Sequence, residues 1–455
     1  MKILLVSPPS YNIVRRVIGI AAPPLNLAYL ASMVRANHEV HIIDSVVENY
    51  SMQDVIKRVR HSNPDLIGIT GTTTMMPDIY ELAKLCKQYN EEIKIAVGGH
   101  HVTFLPEWTL QESPYVDYIV RGEGEYTFTE LADTLEATGD LSRIKGLTYR
   151  HNSTIKSNPT REFIDDVDSL PIPAYDLLPM DKYRAKDIGF GTILTSRGCP
   201  FKCVFCSSSN QLGHHWRGHS VERILKELTI LNETYKKHDI EFLDDTFTFS
   251  QKRVLELEER MRQEKLDISW VASSRVDTFS NEIAQSMKRS GAHTVYFGIE
   301  SGSEKILNFI GKGITLDRAL QAIATAKKVG LETLGSFVLG FPDENRDDVK
   351  KTVHFSKKIG VDFAQFTIAT PYPGTALWAY ALKEKLLTTF DWQKYSSLKS
   401  VMRLKNFSAT AIEKILRTAY LQFYLRPSIL IKDLVRNNGF IFSRAIRSLL
   451  RRPDA

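Results

Sequence analysis

Two blocks of this chain alternate short apolar runs with amphipathic segments, and that rhythm admits few architectures. In residues 1–136, β-rich runs fall at Ile3–Ser7, Val40–Asp44, Leu66–Thr70, Ile93–Val97 and Tyr118–Val120. Between them lie segments such as Asp78–Gln88 (DIYELAKLCKQ), whose apolar positions recur at helical spacing. Short apolar runs between helical patterns are what strands need when both faces of a parallel sheet are covered. A doubly wound, Rossmann-like α/β domain is predicted, with ligands beyond the carboxyl ends of its strands.

The alternation resumes at Gly191, with strands predicted at Thr192–Thr195, Ile240–Leu243, Ile268–Ala272, Thr294–Gly298, Thr333–Leu339 and Phe363–Ile368. Helices such as Val221–Tyr235 and Leu316–Val329 separate them. Six strand–helix repeats imply an open, partial (β/α)6 TIM-like barrel with its site at the carboxyl strand ends. The expected organisation is a first domain over 1–137, a linker over 138–190, the barrel over 191–375 and a helical extension over 376–455. The linker contains a hairpin around His151–Ser153 and the Pro-rich stretch Leu170-Pro-Ile-Pro-Ala-Tyr.

Composition is that of a globular protein, with 43% apolar and 25% charged residues among 455. The net charge of +6 is carried by the C-terminus, where Glu413–Ala455 holds nine Lys/Arg against three Asp/Glu. The N-terminus lacks the apolar run of a signal peptide, and no apolar stretch reaches membrane-spanning length, so a cytoplasmic location is expected. Four cysteines in so long a chain do not make a disulfide scaffold. Cys86 falls on an amphipathic helix and reads as a core residue.

The other three form Ser196-Arg-Gly-Cys-Pro-Phe-Lys-Cys-Val-Phe-Cys206, directly after a strand. Three thiolates this close can hold three irons of one cubane cluster and leave the fourth iron open. Gly198 and Pro200 favour a tight loop that lets the sulfurs converge. The competing reading is structural zinc with His214, His215 or His219 as fourth ligand, in a binding protein without catalysis.

The triplet and its place in a six-strand repeat resemble the radical S-adenosylmethionine superfamily, over about Gly191 to Thr375. The resemblance implies that Cys199, Cys203 and Cys206 ligate a [4Fe-4S] cluster whose open iron chelates S-adenosylmethionine, cleaved there to a 5′-deoxyadenosyl radical. It also implies an external electron donor of flavodoxin or ferredoxin type. Phe205 matches the aromatic near the adenine. In Glu241-Phe-Leu-Asp-Asp-Thr-Phe, Asp244 and Asp245 fall in the amino-group-binding region. Ser273 and Arg275 end the third strand, and Glu300 in Gly298-Ile-Glu-Ser-Gly matches a residue reaching the ribose or amino acid part. Lys312 in Ile310-Gly-Lys-Gly occupies the place where a base meets the carboxylate. Gly340-Phe-Pro-Asp-Glu and Thr370-Pro-Tyr-Pro-Gly-Thr close the last two strands. The bland alternatives are helix caps for Asp244, Asp245 and Glu300, and a surface ion pair with Asp277 for Arg275.

In the first block Ser7-Pro-Pro-Ser, Gly71-Thr-Thr-Thr-Met-Met-Pro, Val97-Gly-Gly-His-His-Val-Thr and Arg121-Gly-Glu-Gly-Glu follow strands one, three, four and five. Small residues at strand ends let backbone approach a large ligand. No G-x-G-x-x-G opens the first helix and no Walker A loop occurs, so NAD and ATP are poorly supported. The pattern is similar to the cobalamin-binding domain of cobalamin-dependent radical S-adenosylmethionine enzymes, which include methyltransferases and the anaerobic magnesium-protoporphyrin monomethyl ester cyclase. The resemblance places Ser7, Thr72, Thr73, Gly98, Gly99 and Gly124 around cobalamin. The Asp-x-His-x-x-Gly motif that supplies a lower axial histidine is absent. For His100 and His101, a helix-start or hydrogen-bonding role is favoured over cobalt ligation.

The C-terminal extension reads as amphipathic helices over Ala411–Arg426, from Ser428, and over Ile441–Leu450 with Arg444, Arg447, Arg451 and Arg452. Packing on the barrel is the expectation; a peripheral membrane contact is the sharper alternative, and nucleic acid is not expected. The predicted activity is methyl transfer to an unactivated carbon of a small-molecule or lipid substrate, with cobalamin-dependent cyclisation or rearrangement as the alternative.

Overall fold

A computed structural model describes residues 1–10, 21–152, 154–185 and 188–431. The first sheet has the order β2-β1-β3-β4-β5-β6-β7. Its strands are β1 (Lys2–Ser7), β2 (Glu39–Asp44), β3 (Leu66–Thr70), β4 (Lys94–Gly98), β5 (Tyr118–Val120), β6 (Leu147–His151) and β7 (Thr154–Ser157). The first five pair in parallel, while β6 and β7 are antiparallel. The apolar runs serve two layers at once. In β1, Leu4 and Val6 join one core with Val55, Ile79 and Leu82, whereas Ile3 and Leu5 join another with Leu27, Phe128 and Leu131. Alternate side chains of one strand feed opposite faces, so both must be apolar. The expected hairpin extends the first sheet: the stretch read as linker begins as its antiparallel edge.

The second sheet has the order β16-β15-β14-β13-β12-β9-β8 and curls as a half-barrel. It comprises β8 (Arg184–Ala185), β9 (Ile188–Ile193), β12 (Asp239–Phe242), β13 (Ser269–Ser274), β14 (Ala292–Glu300), β15 (Glu332–Leu339) and β16 (Phe363–Ile368). All pairs are parallel except β8 with β9. Ile240, Phe242, Trp270, Ala272, Val295, Phe297, Phe337 and Phe366 are buried in one continuous core. The alternate positions Glu241, Ser273, Tyr296 and Ser336 are only half-buried, as expected of the opposite, open face. A two-stranded antiparallel ribbon, β10 (Ser196–Arg197) with β11 (Arg217–Gly218), closes the base of the cysteine loop.

The outer edge of β16 is sealed by the helix Ala409–Tyr424. Tyr420 Oη donates to the Phe366 carbonyl and accepts from its N–H, at 2.9 and 3.0 Å. Tyr424 Oη treats Ala364 likewise, at 2.9 and 3.2 Å. Two hydroxyls one helical turn apart thus meet the backbone groups an edge strand leaves open. The extension also reaches the first domain, where Trp378, Trp392 and Tyr395 enter its core and Trp392 Nε1 donates to Glu112 at 3.0 Å. Packing is therefore what the described part of the extension does; Ile441–Leu450 and its arginines lie outside the described residues. Among the described residues no helix is long and apolar enough to cross a membrane.

Candidate cofactor sites

The cysteine loop runs between β10 and β11 and is anchored by backbone at several points. Cys199 N donates to Gly213 O at 3.0 Å, Cys206 N to Cys203 O at 3.1 Å, and Val204 N to Ile310 O at 3.0 Å. Cys199, Cys203 and Cys206 are all half-buried. Burial pushes the Cys199 and Cys206 thiols up; Ser208 acts in the opposite direction at Cys206, and Cys203 adds a like-charge contribution at both. Such thiols shed their protons on metal binding. The three need not converge on one point, because each would hold a different iron of a cubane. His219 is committed to Asp168 at 2.7 Å, and His214 and His215 are exposed.

Arg275 brings positive charge to this loop. Its guanidinium stacks 3.5 Å over the Phe201 ring, and Nη1 lies 3.9 Å from Cys203 Sγ. It also donates to Asp277 at 2.9 and 2.8 Å and to the Lys312 carbonyl at 2.7 Å. The ion pair with Asp277 is present, but the arginine is buried beside the cysteines rather than on the surface. Phe205 packs against Phe341, their ring centroids 5.9 Å apart.

The strand ends beyond the loop hold a buried ion pair. Lys312 Nζ donates to Glu300 Oε1 at 2.8 Å. Glu300 has φ +69°, and the register with β15 slips between Gly298 and Glu300. This is a β-bulge in which a non-glycine residue adopts the left-handed region, and it re-aims the glutamate side chain. Glu300 does not cap the helix Glu304–Phe309; Ser303 stands at that position.

The adjacent Asp244 and Asp245 have separate fates. Asp244 accepts from Thr195 N, Thr195 Oγ1 and Ser196 Oγ at 2.7, 2.7 and 2.5 Å, and from Arg253 Nη2 at 3.2 Å. It is committed to holding the strand that enters the cysteine loop. The exposed Asp245 has its carboxyl pushed up by surrounding protein, against a lowering contribution from Ser208. Neither residue caps the helix Gln251–Gln263, whose cap is Ser250. Ser273 sits half-buried at the end of β13.

In the first domain, Ser7, Thr72, Thr73, Gly98, Gly99 and Gly124 come together at the carboxyl ends of β1, β3, β4 and β5. Thr72 is exposed, and Thr73 and Ser7 are buried. Gly99 has φ +120°, and a Cβ there would lie 2.4 Å from the Gly71 carbonyl oxygen. A Cβ on Gly98 would meet only ordinary contacts, the nearest being the Val120 carbonyl oxygen at 3.7 Å, so the backbone there is not closed off by a side chain of its own. His100 opens the helix His100–Phe104, as expected. His101 makes no hydrogen bond; it is buried edge-on against Trp392, 4.6 Å between centroids, and burial lowers its pKa to about 4. Its side chain serves the domain core, so the hydrogen-bonding role expected for it is not found.

Residues without a sequence signal join the two sites. Glu123 and Glu125, at the start of the helix Gly124–Glu136, are buried against the ribbon below the cysteines. Arg197 donates from Nη1 to Glu123 Oε1 at 3.0 Å and from Nη2 to Glu125 Oε1 at 2.6 Å. Arg217 Nη1 donates to Glu123 Oε2 at 3.0 Å, and Ile164 N to the same oxygen at 2.7 Å. Gln211 Nε2 reaches the Gly122 carbonyl at 3.1 Å. Burial opposes the charge on Arg197, but Glu125 and then Glu123 more than offset it.

A Rossmann-like sheet with a small-residue rim, joined to a half-barrel with three thiols on the loop after an early strand, defines a two-domain class of cofactor-dependent enzymes. Residues 11–132 match the B12 binding domain and residues 193–356 the Radical SAM superfamily. The uncharacterized methyltransferase PH0819 of Pyrococcus horikoshii is 55% identical over 451 residues, 99% of this chain and 98% of that one. The cobalamin-dependent S-adenosylmethionine radical enzyme OxsB, solved with aqua-cobalamin and S-adenosylmethionine, superposes with a TM-score of 0.77 at 20% identity, over 98% of this chain and 71% of that one. The radical S-adenosylmethionine methyltransferase TsrM of Kitasatospora setae, solved with cobalamin and a [4Fe-4S] cluster, gives 0.74 at 14% identity, over 94% and 89%. The chain belongs to the cobalamin-dependent radical S-adenosylmethionine enzymes, whose cofactors are a [4Fe-4S] cluster, S-adenosylmethionine and cobalamin. The zinc-binding alternative falls with that assignment.

Proposed function

We propose that the protein transfers a methyl group to an unactivated carbon of a small-molecule substrate held between the two domains. When bound, the cluster supplies the electron that cleaves S-adenosylmethionine, and cobalamin supplies the methyl group. Cys199, Cys203 and Cys206 hold the cluster in this reading, with Arg275 providing a cation beside Cys203. Asp245 is the acceptor for the ammonium group of S-adenosylmethionine; its exposure, where Asp244 is fully engaged, supports that choice. The Glu300–Lys312 pair offers an acceptor and a donor to the ribose and carboxylate, while Phe205 and Ser273 line the approach. Ser7, Thr72, Thr73, Gly98, Gly99 and Gly124 form the cobalamin rim. An external flavodoxin- or ferredoxin-type protein delivers the electron.

The observation that carries this reading is the shared wall: the neck of the cysteine loop and the β5 end of the glycine rim meet through Arg197 and Glu123. Cofactors held on those platforms would lie on either side of this ion-paired wall. Anaerobic reconstitution tests it. Roughly four irons with matching sulfide, a retained corrin spectrum after gel filtration, and 5′-deoxyadenosine on reduction with S-adenosylmethionine are expected. One zinc without sulfide, or no retained corrin, rejects it. Mass spectrometry of a host with and without the protein then identifies the substrate by a gain of one methyl group.

A further inference from the structure

The base of the cysteine loop is gripped from outside its own domain. Arg197 and Arg217 are paired across the β10–β11 ribbon, two residues before Cys199 and eleven after Cys206. Both guanidiniums close on the Glu123 carboxylate, and Arg197 takes Glu125 as well. All four side chains are at most 8% exposed. Arg217 also donates to the Leu212 and Ile164 carbonyls, and Gln211 to Gly122. Both strands of the ribbon, and the return of the loop, therefore hang on residues 122–125. That segment is continuous with the rim: Gly124 belongs to it, and Gly122 N donates to Thr103 Oγ1 at 3.0 Å, in the helix His100–Phe104 that follows β4.

Barrel stability does not require such an arrangement. A buried ionic cluster is seldom more stabilising than apolar packing of the same volume, and its best-attested use is fixing one geometry against others. Here the fixed geometry is that of one cofactor platform on the other.

We infer that Glu123 and Glu125 are positioning residues that couple occupancy of the cobalamin rim to the conformation of the cysteine loop. The inference rests on the cobalamin reading above. A ligand seated on the rim would stabilise residues 98–103 and 122–125 in the conformation seen here, and with it the bonds that hold Arg197 and Arg217 to the two carboxylates. The loop is then held ready for the cluster, and by linkage the cluster tightens cobalamin binding by the same factor.

The full chain is compared in cluster-free and cluster-loaded forms with hydroxocobalamin as the probe. In the wild type, hydroxocobalamin slows amide hydrogen exchange across residues 196–217 of the cluster-free protein. Loading the cluster lowers its dissociation constant by about ten-fold. In Glu125→Gln, which removes one carboxylate and leaves the Glu123 bridges, both effects shrink several-fold. Glu123→Gln abolishes them, and Glu125→Gln carries the test should that variant fold poorly. A merely structural role predicts weaker binding in the variants with the coupling factor unchanged, and that result overturns the inference. Retained cobalamin with a coupling factor near one in the wild type overturns the inference alone; no retention overturns the cobalamin reading with it.

Discussion

Lys312 Nζ lies 2.8 Å from Glu300 Oε1 in a space that exists because residue 298 is glycine. A Cβ at Gly298 would sit 2.4 Å from that carboxylate oxygen and 2.7 Å from the ammonium nitrogen. The pair is buried on both sides, so removing one member strands the other. Lys312→Met is expected to destabilise the protein by about 3–5 kcal/mol in urea unfolding, and Lys312→Met with Glu300→Gln by less. Equal losses in the single and double variants would show that the pair is not the source.

Adjacent aspartates should give opposite results. Asp244→Ala removes three hydrogen bonds from the strand entering the cysteine loop and leaves Arg253 without its carboxylate. A loss of about 3–5 kcal/mol is expected. Asp245→Asn leaves unfolding within about 0.5 kcal/mol of the wild type. It weakens S-adenosylmethionine binding about 10–100-fold, the worth of one charged hydrogen bond. Calorimetric titration of the cluster-loaded protein measures the second effect, and unchanged affinity removes Asp245 from the site.

The rim glycines separate folding from binding. Gly99→Ala forces a methyl against the Gly71 carbonyl at a backbone conformation alanine resists, so the apoprotein melts earlier. Gly98→Ala has room and melts like the wild type, yet projects its methyl into the rim. Retention of hydroxocobalamin through gel filtration should fall in both. Full retention by Gly98→Ala places the corrin elsewhere.

Two buried glutamates make stability fall as pH rises. Burial pushes Glu227 and Glu344 up to about 7, although Tyr175 Oη donates to the first and the Gly340 and Phe341 amides to the second. An unfolded glutamate titrates near 4.3. The folded state therefore binds more protons between about pH 4.5 and 7, and stability present below that window is lost as pH climbs through it. Each contributes up to about 3 kcal/mol. Urea unfolding at pH 5 and pH 8 should show wild type losing ground to Glu227→Gln and Glu344→Gln at the higher pH. A constant difference contradicts the assignment.

Strands were legible because burial leaves an apolar pattern: Leu66–Thr70 and Tyr118–Val120 are covered on both faces, Phe363–Ile368 alternates buried with more open positions, and all three end where expected. The cysteines were legible because their spacing is local. Residues whose meaning lies in distant partners were not. Arg121-Gly-Glu-Gly-Glu drew notice for its glycines, yet its glutamates meet arginines 72 to 94 positions away. Nothing in Gly298-Ile-Glu-Ser-Gly announces the bulge that turns Glu300 back over its own strand. Asp244 and Asp245 are chemically identical, and only the fold assigns one to scaffolding. The edge seal by Tyr420 and Tyr424 left a trace, tyrosines four apart on an amphipathic stretch, with no cue to their target.

That seal bears on where a working fragment of this protein could be cut. A half-barrel never meets its own first strand, so its last one keeps a free ladder of amides and carbonyls, here answered by two phenols from far downstream. Shortening the chain after the final strand would bare a ribbon able to recruit its twin. The smallest soluble unit must therefore extend at least through Tyr424.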